Sequence, residues 1–212
     1  MSERLLNAIN RAQEYLLSRQ TSDGYFHSNF HMDLGLEADT IFLLRFLGIR
    51  DDALEEKLVN FILARRLDEG GWPVYPGGPP ELNTTIKNYT ALKLKGFEER
   101  NQLMVRDRHI IIGLGGIEGS NSYNRFYLAM FGLGNWGAVP SIPPELVLLP
   151  NWSPINIYDF SAWTRAIVVP LSIIWAFKPV RPLAKNFNID ELYKGGRRMK
   201  DCGIKWDKRV IS

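Results

Sequence analysis

The sequence predicts an all-α protein assembled from helical hairpins. Three observations carry that expectation. Apolar residues recur at three- and four-residue spacing in six separate segments. Strict apolar–polar alternation, the mark of a half-buried strand, is almost absent. The chain also repeats itself at an offset of 46 residues, so that LLSRQTSDGYF (16–26) lies over ILARRLDEGGW (62–72). In that overlay Leu17/Leu63, Arg19/Arg65 and Gly24/Gly70 are identical, and Leu16/Ile62, Asp23/Glu69 and Phe26/Trp72 are conservative. A third, weaker copy falls at Ile110–Ile117. Each unit is a helix, an acidic glycine turn with an aromatic, and a second helix. No unit can bury its apolar face alone, so neighbours must stack.

The elements follow in order. Leu5, Ile9, Ala12 and Leu16 form the first helical stripe, which ends near Gln20 ahead of the turn Thr21-Ser22-Asp23-Gly24. Leu34–Leu47 is the second helix, closed by Gly48, and Leu54, Leu58, Phe61 and Ile62 mark the third. Then comes the stretch Trp72–Gly96. Its first part, Trp72–Pro80, holds four prolines and the pair Gly77-Gly78, which forbids a helix and predicts a stiff loop with a tight turn at Pro76-Gly77-Gly78. Its second part is a fourth helix, with Asn83 or Thr84 as cap, Ile86, Tyr89, Leu92 and Leu94 as apolar face, and Gly96 as stop. A helix over about Ser122–Phe131 precedes a proline-rich loop, 136–154. The last helix, Asp159–Phe177, contains Pro170, which predicts a kink. Residues 1–193 make up the folded region and 194–212 a polar, basic tail.

Composition narrows the function. The 212 residues are 45% hydrophobic, enough for a real core. Lys plus Arg number 26 against 23 for Asp plus Glu, too even a balance to point to nucleic acid. The lone Cys202 excludes an internal disulfide and any Cys-based zinc cluster. His27 and His31 stand four apart, but no HExxH completes them, and neither a metal nor a cofactor is expected. No signal peptide is visible, and the longest apolar run, Ala166–Phe177, is shorter than the roughly twenty residues a membrane span needs. A cytoplasmic protein, or one attached to a single membrane face, is expected. No motif supplies a catalytic constellation. Asp33, Glu37 and Asp39 cluster where acids favour a helix N-terminus. Six Trp, eight Tyr and eleven Phe fit either core packing or an aromatic-lined cavity for an apolar or cationic ligand.

Three strings then carry a resemblance: YPGGPPELNTTIKNYTALKLKG (75–96), GGIEGSNSYNRFYLAMFG (115–132) and VPSIPPELVLLPNWSPINIYDFSAWTRAIVVPLSII (139–174). With the glycine turns at Gln20-Gly24-Phe26 and Gly70-Trp72, which look like QW repeats, they resemble in collinear order the N-terminal part of squalene–hopene cyclases. The resemblance implies a double α/α-barrel (α-α toroid) bound peripherally to one membrane face. Squalene or a similar isoprenoid would enter by a nonpolar channel. A DxDD acid would protonate it and a carbocation cascade would run through an aromatic cavity. Carried over residue by residue, Trp163 would line the cavity and Phe160 the substrate channel. Tyr127 would be a cavity aromatic near the end where the final cation is quenched, with Arg125 and Asp39 organising that end.

Four departures stand out. Arg66 replaces the QW glutamine, which puts that repeat's helix-end tie in question. Lys87 stands where the family has a glutamate, and Pro170 where alanine is usual. No DxDD occurs in the 212 residues, so the resemblance assigns no catalytic residue. At 46 residues per hairpin a six-hairpin barrel needs about 276 residues. An incomplete, truncated toroid is therefore expected, inactive alone and calling for a complementing C-terminal cyclase chain. The alternative is a non-catalytic helical-repeat module that binds an isoprenoid or a partner protein. A prenyltransferase β-subunit relative would need Asp, Cys and His zinc ligands that Cys202 alone does not supply.

Overall fold

The computed structural model describes residues 2–26, 34–183 and 187–194. The chain divides into two compact units, residues 1–32 and 33–212. Seven α-helices occur among the described residues, with short 3-10 turns between them and no strand beyond isolated bridges.

The first unit is a helix and a turn. Helix α1, Glu3–Ser18, has the predicted amphipathic pattern, and its stripe residues Leu5, Ile9 and Leu16 are exposed. After it, Thr21 N donates to Tyr25 O and Gly24 N to Thr21 O, with Gly24 at φ 85°. The second unit repeats this turn at the predicted offset. There Leu67 N donates to Gly71 O and Gly70 N to Leu67 O, with Gly70 at φ 114°. The 46-residue repeat is thus a repeat of hydrogen bonds as well as of letters. The third copy does not share them. Its helix ends in a glycine pair, but Gly116 N donates back to Ile111 O.

In the second unit, α2 (Leu36–Leu47) and α3 (Asp52–Ala64) form a hairpin, and α4 (Leu82–Leu94) packs against both. Gly48, at φ 72°, stops α2 as expected. Helix α5 (Gln102–Gly113) and α6 (Ser122–Met130) flank α4, while α7 is Ala162–Phe177. Pro170 lies inside α7, which continues through it.

Helix α4 departs from the expected one-sided stripe. Thr84, Thr85, Ile86, Asn88, Tyr89, Thr90, Ala91 and Leu92 are all buried. It is the hub of the core, which gathers Ile41 and Phe42 from α2, Ile62 from α3, Trp72, Met104 and Ile111 from α5, and Ile189 and Leu192 near the C-terminus. A helix surrounded on all sides needs no polar face, and its threonines satisfy themselves along the helix, as when Thr90 Oγ1 donates to Ile86 O. A second, smaller cluster of Phe126, Ala129 and Val139 receives Leu171, Ile174 and Trp175 of α7.

The proline loop folds as predicted. Gly78 N donates to Tyr75 O with Gly77 at φ 79°, and Glu81 N donates to Trp72 O, so the loop closes on itself. The α4 cap, however, is Glu81 rather than Asn83 or Thr84. Its carboxylate accepts Thr84 N at 2.8 Å and Asn83 Nδ2 at 2.6 Å. Burial pushes the Glu81 carboxyl up, but the amides of Thr84 and Asn83 outweigh it and hold the group below its ordinary 4.5. A depressed carboxyl stabilises the fold above its unfolded pKa, and that contribution is lost as pH falls through the folded value. Glu81→Ala is expected to cost about 1 kcal/mol at pH 7. The penalty should shrink as the pH is taken well below 4.5. Urea midpoints that differ by the same amount at both pH values would contradict the cap.

The glycine turn before Trp72 is held by a buried ion pair. Arg66 stands at the repeat position of Gln20. Gln20 Nε2 donates to Gly24 O inside its own turn, whereas Arg66 reaches across to α5. Its Nε lies 2.9 Å from Asp107 Oδ1 and its NH2 at 2.8 Å, and NH2 also donates to Leu103 O. Asp107 Oδ1 accepts Gly71 N at 2.8 Å as well. Side-chain exposure is 7% for Arg66 and zero for Asp107. The Gln-to-Arg exchange therefore does not undo the tie but redirects it, from within one repeat to the next hairpin.

Candidate functional site

Three of the five site residues expected from sequence lie on helices that meet at α4. Asp39 is in the first turn of α2, and Tyr127 and Arg125 are on α6. The residue that joins Asp39 and Tyr127 is Lys87. Its Nζ lies 2.8 Å from Asp39 Oδ2 and 5.4 Å from the centroid of the Tyr127 ring. Tyr127 packs on Phe42, with centroids 5.7 Å apart, and Phe42 on Phe131 at 5.6 Å, which in turn meets Phe46 at 6.0 Å. The result is a run of aromatic faces with an acid–cation pair at one end. Lys87 and Asp39 side chains are 12% and 20% exposed, so solvent screens their attraction only partly.

Arg125 serves elsewhere. Two residues apart on a helix means about 200° around it, so Arg125 and Tyr127 leave α6 on opposite sides. Its guanidinium donates to Ser120 O at 3.1 Å, Glu118 O at 3.1 Å and Ala138 O at 3.4 Å, which binds the loops on either side of α6.

Phe160 and Trp163 belong to the start of α7. Asn156 Oδ1 accepts Tyr158 N and Asp159 N, shaping the 3-10 turn Ile157–Asp159, and Ser161 Oγ accepts Thr164 N as the α7 cap. These caps present both aromatics to the outside: Phe160 is 46% exposed and Trp163 77%. Trp152, Tyr158, Ile173 and Phe177 are exposed on the same stretch of chain. Helix α7 is thus apolar on both its packed and its open side, as its mostly hydrophobic sequence demands.

The sequence matches the family model described as the squalene–hopene cyclase N-terminal domain over residues 9–212. The chain belongs to the squalene–hopene cyclase family. It is 38% identical over 200 residues to a squalene–hopene cyclase of Alicyclobacillus acidocaldarius, covering 92% of this chain and 32% of that protein. A squalene–hopene cyclase of Bradyrhizobium diazoefficiens is 38% identical, over 91% of this chain and 29% of the relative. A dammaradiene synthase of Dryopteris crassirhizoma is 33% identical, over 90% and 28% respectively. The chain spans about a third of the length of these relatives.

Within this member of the squalene–hopene cyclase family, the remaining chemistry-bearing groups are structural. Tyr89, fully buried, donates to Glu191 Oε1 at 2.9 Å, and Lys93 Nζ reaches the same oxygen at 2.6 Å. Burial, and next the Glu191 charge, push the Tyr89 phenol well above its ordinary value. No group of three or more His, Cys, Asp and Glu residues suited to a metal occurs among the described residues. His27, His31 and Asp33 lie outside those residues, as do 195–212 with Cys202. No helix among the described residues is long and apolar enough to cross a membrane.

Asn88 is the one fully buried side chain on the hub whose amide nitrogen and oxygen both lack a hydrogen-bond partner among the described residues. An unmade buried hydrogen bond costs about 1–3 kcal/mol. Asn88→Ala should therefore change unfolding free energy by less than about 1 kcal/mol, because relief of that penalty offsets the small cavity. A measured loss above about 2 kcal/mol would mean the amide is satisfied.

Sequence reasoning marked Lys87 for its charge but not for its partners. It passed over Asp107 and Glu191 altogether. Periodicity says which residues are inside, not why a charge should be there: Asp107 falls at helical spacing between the buried Met104 and Ile111, and only the partners Arg66 and Tyr89 explain the two acids.

Proposed function

We propose that this chain is the N-terminal part of a squalene–hopene-type triterpene cyclase, with α/α-toroid hairpins that supply walls of the substrate cavity and channel. The observation that carries it is the collinear match of 92% of the chain to a third of a squalene–hopene cyclase. Tyr127 and Asp39 stand at the aromatic end of that cavity, Trp163 lines the cavity and Phe160 the channel, and Arg125 braces the loops on either side of α6. On this reading proton donation falls to sequence outside the 212 residues, which hold no DxDD. The isoprenoid substrate contributes flexible apolar chain and the enzyme contributes π faces that favour its cations. The open apolar side of α7 suits attachment to one face of a membrane.

The test is a chimera in which residues 9–194 replace the matching segment of the Alicyclobacillus acidocaldarius cyclase. The purified chain alone is expected to leave squalene unchanged, and the chimera to cyclise it. Hopanoid formed by the chain alone would overturn the division of labour. A folded chimera inert toward squalene would favour the second reading, a helical module that binds an isoprenoid or partner through the exposed aromatics Trp152, Trp163 and Phe177.

A further inference from the structure

Helices α2 and α6 end in the same way. A left-handed glycine donates three residues back and the next N–H five residues back: Gly48 to Arg45 O and Ile49 to Leu44 O, Gly132 to Ala129 O and Leu133 to Leu128 O. Helices α4 and α5 close alike at Gly96 and Gly115. Each such end leaves the next carbonyl open, that of Phe46, Met130, Leu94 or Gly113. Among the described residues only the first two receive a hydrogen bond, and one residue supplies both. Arg181 N donates to Met130 O at 2.8 Å, and Arg181 Nη1 donates to Phe46 O. The strap uses the room that the two glycines leave. A Cβ on Gly48 would lie 2.5 Å from Arg181 Nη2, and one on Gly132 would lie 3.3 Å from Val180 Cγ1. We propose that residues 178–181 are a latch on α7, and that α7 swings open as a unit when Arg181 lets go.

Helix α7 depends on this end. Ser172 is its only buried residue, and Leu171, Ile174 and Trp175 are the side chains that pack on the cluster of Phe126, Ala129 and Val139. All four lie beyond Pro170, which has no N–H for Ala166 O and so interrupts the hydrogen-bond ladder between the two halves of the helix. Lys178, left-handed at φ 45°, ends α7 and turns the chain into the strap. Neither helix end needs Arg181, because the glycine bonds of α2 and α6 are made without it. Among the described residues the strap makes no hydrogen bond to the hub helix α4. Arg181 is exposed, so water can take over both carbonyls when it leaves. Opening therefore breaks two hydrogen bonds and a small apolar contact, which is local rather than global unfolding. Phe160 and Trp163 ride at the other end of α7, so the latch decides whether they are held in place. That bearing on the channel rests on the reading proposed above, but the latch itself does not.

The experiment follows amide hydrogen exchange in the full chain. Arg181→Met keeps an unbranched side chain and the backbone donor but loses the guanidinium. Exchange across 171–177 should speed up by about tenfold or more, the effect of losing one hydrogen bond to a charged group. Helix α4 should exchange as in the wild type. Arg181→Lys keeps the charge but not the planar fork, and should give a smaller rise in the same amides. A rise shared equally by α4 would overturn the latch and leave Arg181 a strut of the whole fold. Unchanged exchange across 171–177 would overturn it as well. Should Arg181→Met fail to fold, Arg181→Lys carries the same comparison. The measurement involves no isoprenoid, so its outcome is separate from the chimera's cyclisation of squalene.

Discussion

Asp107→Ala is expected to destabilise the second unit by about 3–5 kcal/mol, because it leaves the Arg66 guanidinium buried without its counter-charge. It also strips Gly71 N of its acceptor. A domain of this size holds only about 5–15 kcal/mol in total, so the variant should melt roughly 10 °C lower. The pair itself is not the source of that number. Two charges moved out of water gain back little more than their desolvation, and the loss comes from stranding one of them. Arg66→Leu combined with Asp107→Leu should therefore recover most of the loss. Arg66→Gln, which restores the residue found at position 20, should cost less than Asp107→Ala, since Gly71 keeps its bond. Thermal melts of the four proteins test this. A double variant as unstable as Asp107→Ala alone would mean that the acid acts through its volume or its other bonds.

Trp72→Ala should be as damaging, at about 3–5 kcal/mol. Trp72 is completely buried, and it does three things at once. Its indole Nε1 donates to Ile62 O at 2.7 Å, in the last turn of α3, where that carbonyl's other donor is Arg65 N at 3.3 Å. Its backbone N donates to Thr85 Oγ1 at 3.2 Å and its carbonyl accepts Glu81 N, which fixes the start of α4. Trp72→Phe keeps most of the apolar area and loses only the indole bond, so it should cost about 1–2 kcal/mol. Denaturant titration separates the two variants. A Trp72→Ala protein within about 1 kcal/mol of the wild type would show that the hub closes without its plug.

Both predictions converge on the turn Gly70-Gly71-Trp72, whose backbone leaves little freedom. Gly71 sits at φ 74°, and a Cβ there would lie 2.8 Å from Pro80 Cβ. That turn is the second copy of the repeat, and among the described residues only this copy carries the cross-hairpin clasp through Arg66 and Asp107.

Local physics made much of the fold legible in the amino-acid sequence. Apolar periodicity located six of the seven helices, Gly48 and Gly96 marked their ends, and Pro76-Gly77-Gly78 gave the turn, since each signal acts within a few residues. Helix α5 was the exception: in Gln102–Gly113 the run Arg106-Asp107-Arg108 interrupts apolar residues that fall on several sides, and only Met104, Asp107 and Ile111 are buried. The 46-residue offset was readable because it aligns glycines that only a left-handed turn requires. The strings at 75–96, 115–132 and 139–174 placed the chain in its family without any geometry.

Tertiary structure alone decided the rest. Lys87 and Asp39 are 48 residues apart, Arg66 and Asp107 are 41, and Tyr89 and Glu191 are 102. A charge in the sequence carries no label for its partner; the partner is whatever the packed helices bring within about 3–4 Å, where Coulomb attraction in a shielded site outweighs solvation. The all-round burial of α4 was hidden for the same reason. Its threonines and Asn88 look like a polar face until neighbouring helices cover it, and only the stacking of hairpins determines which face is covered.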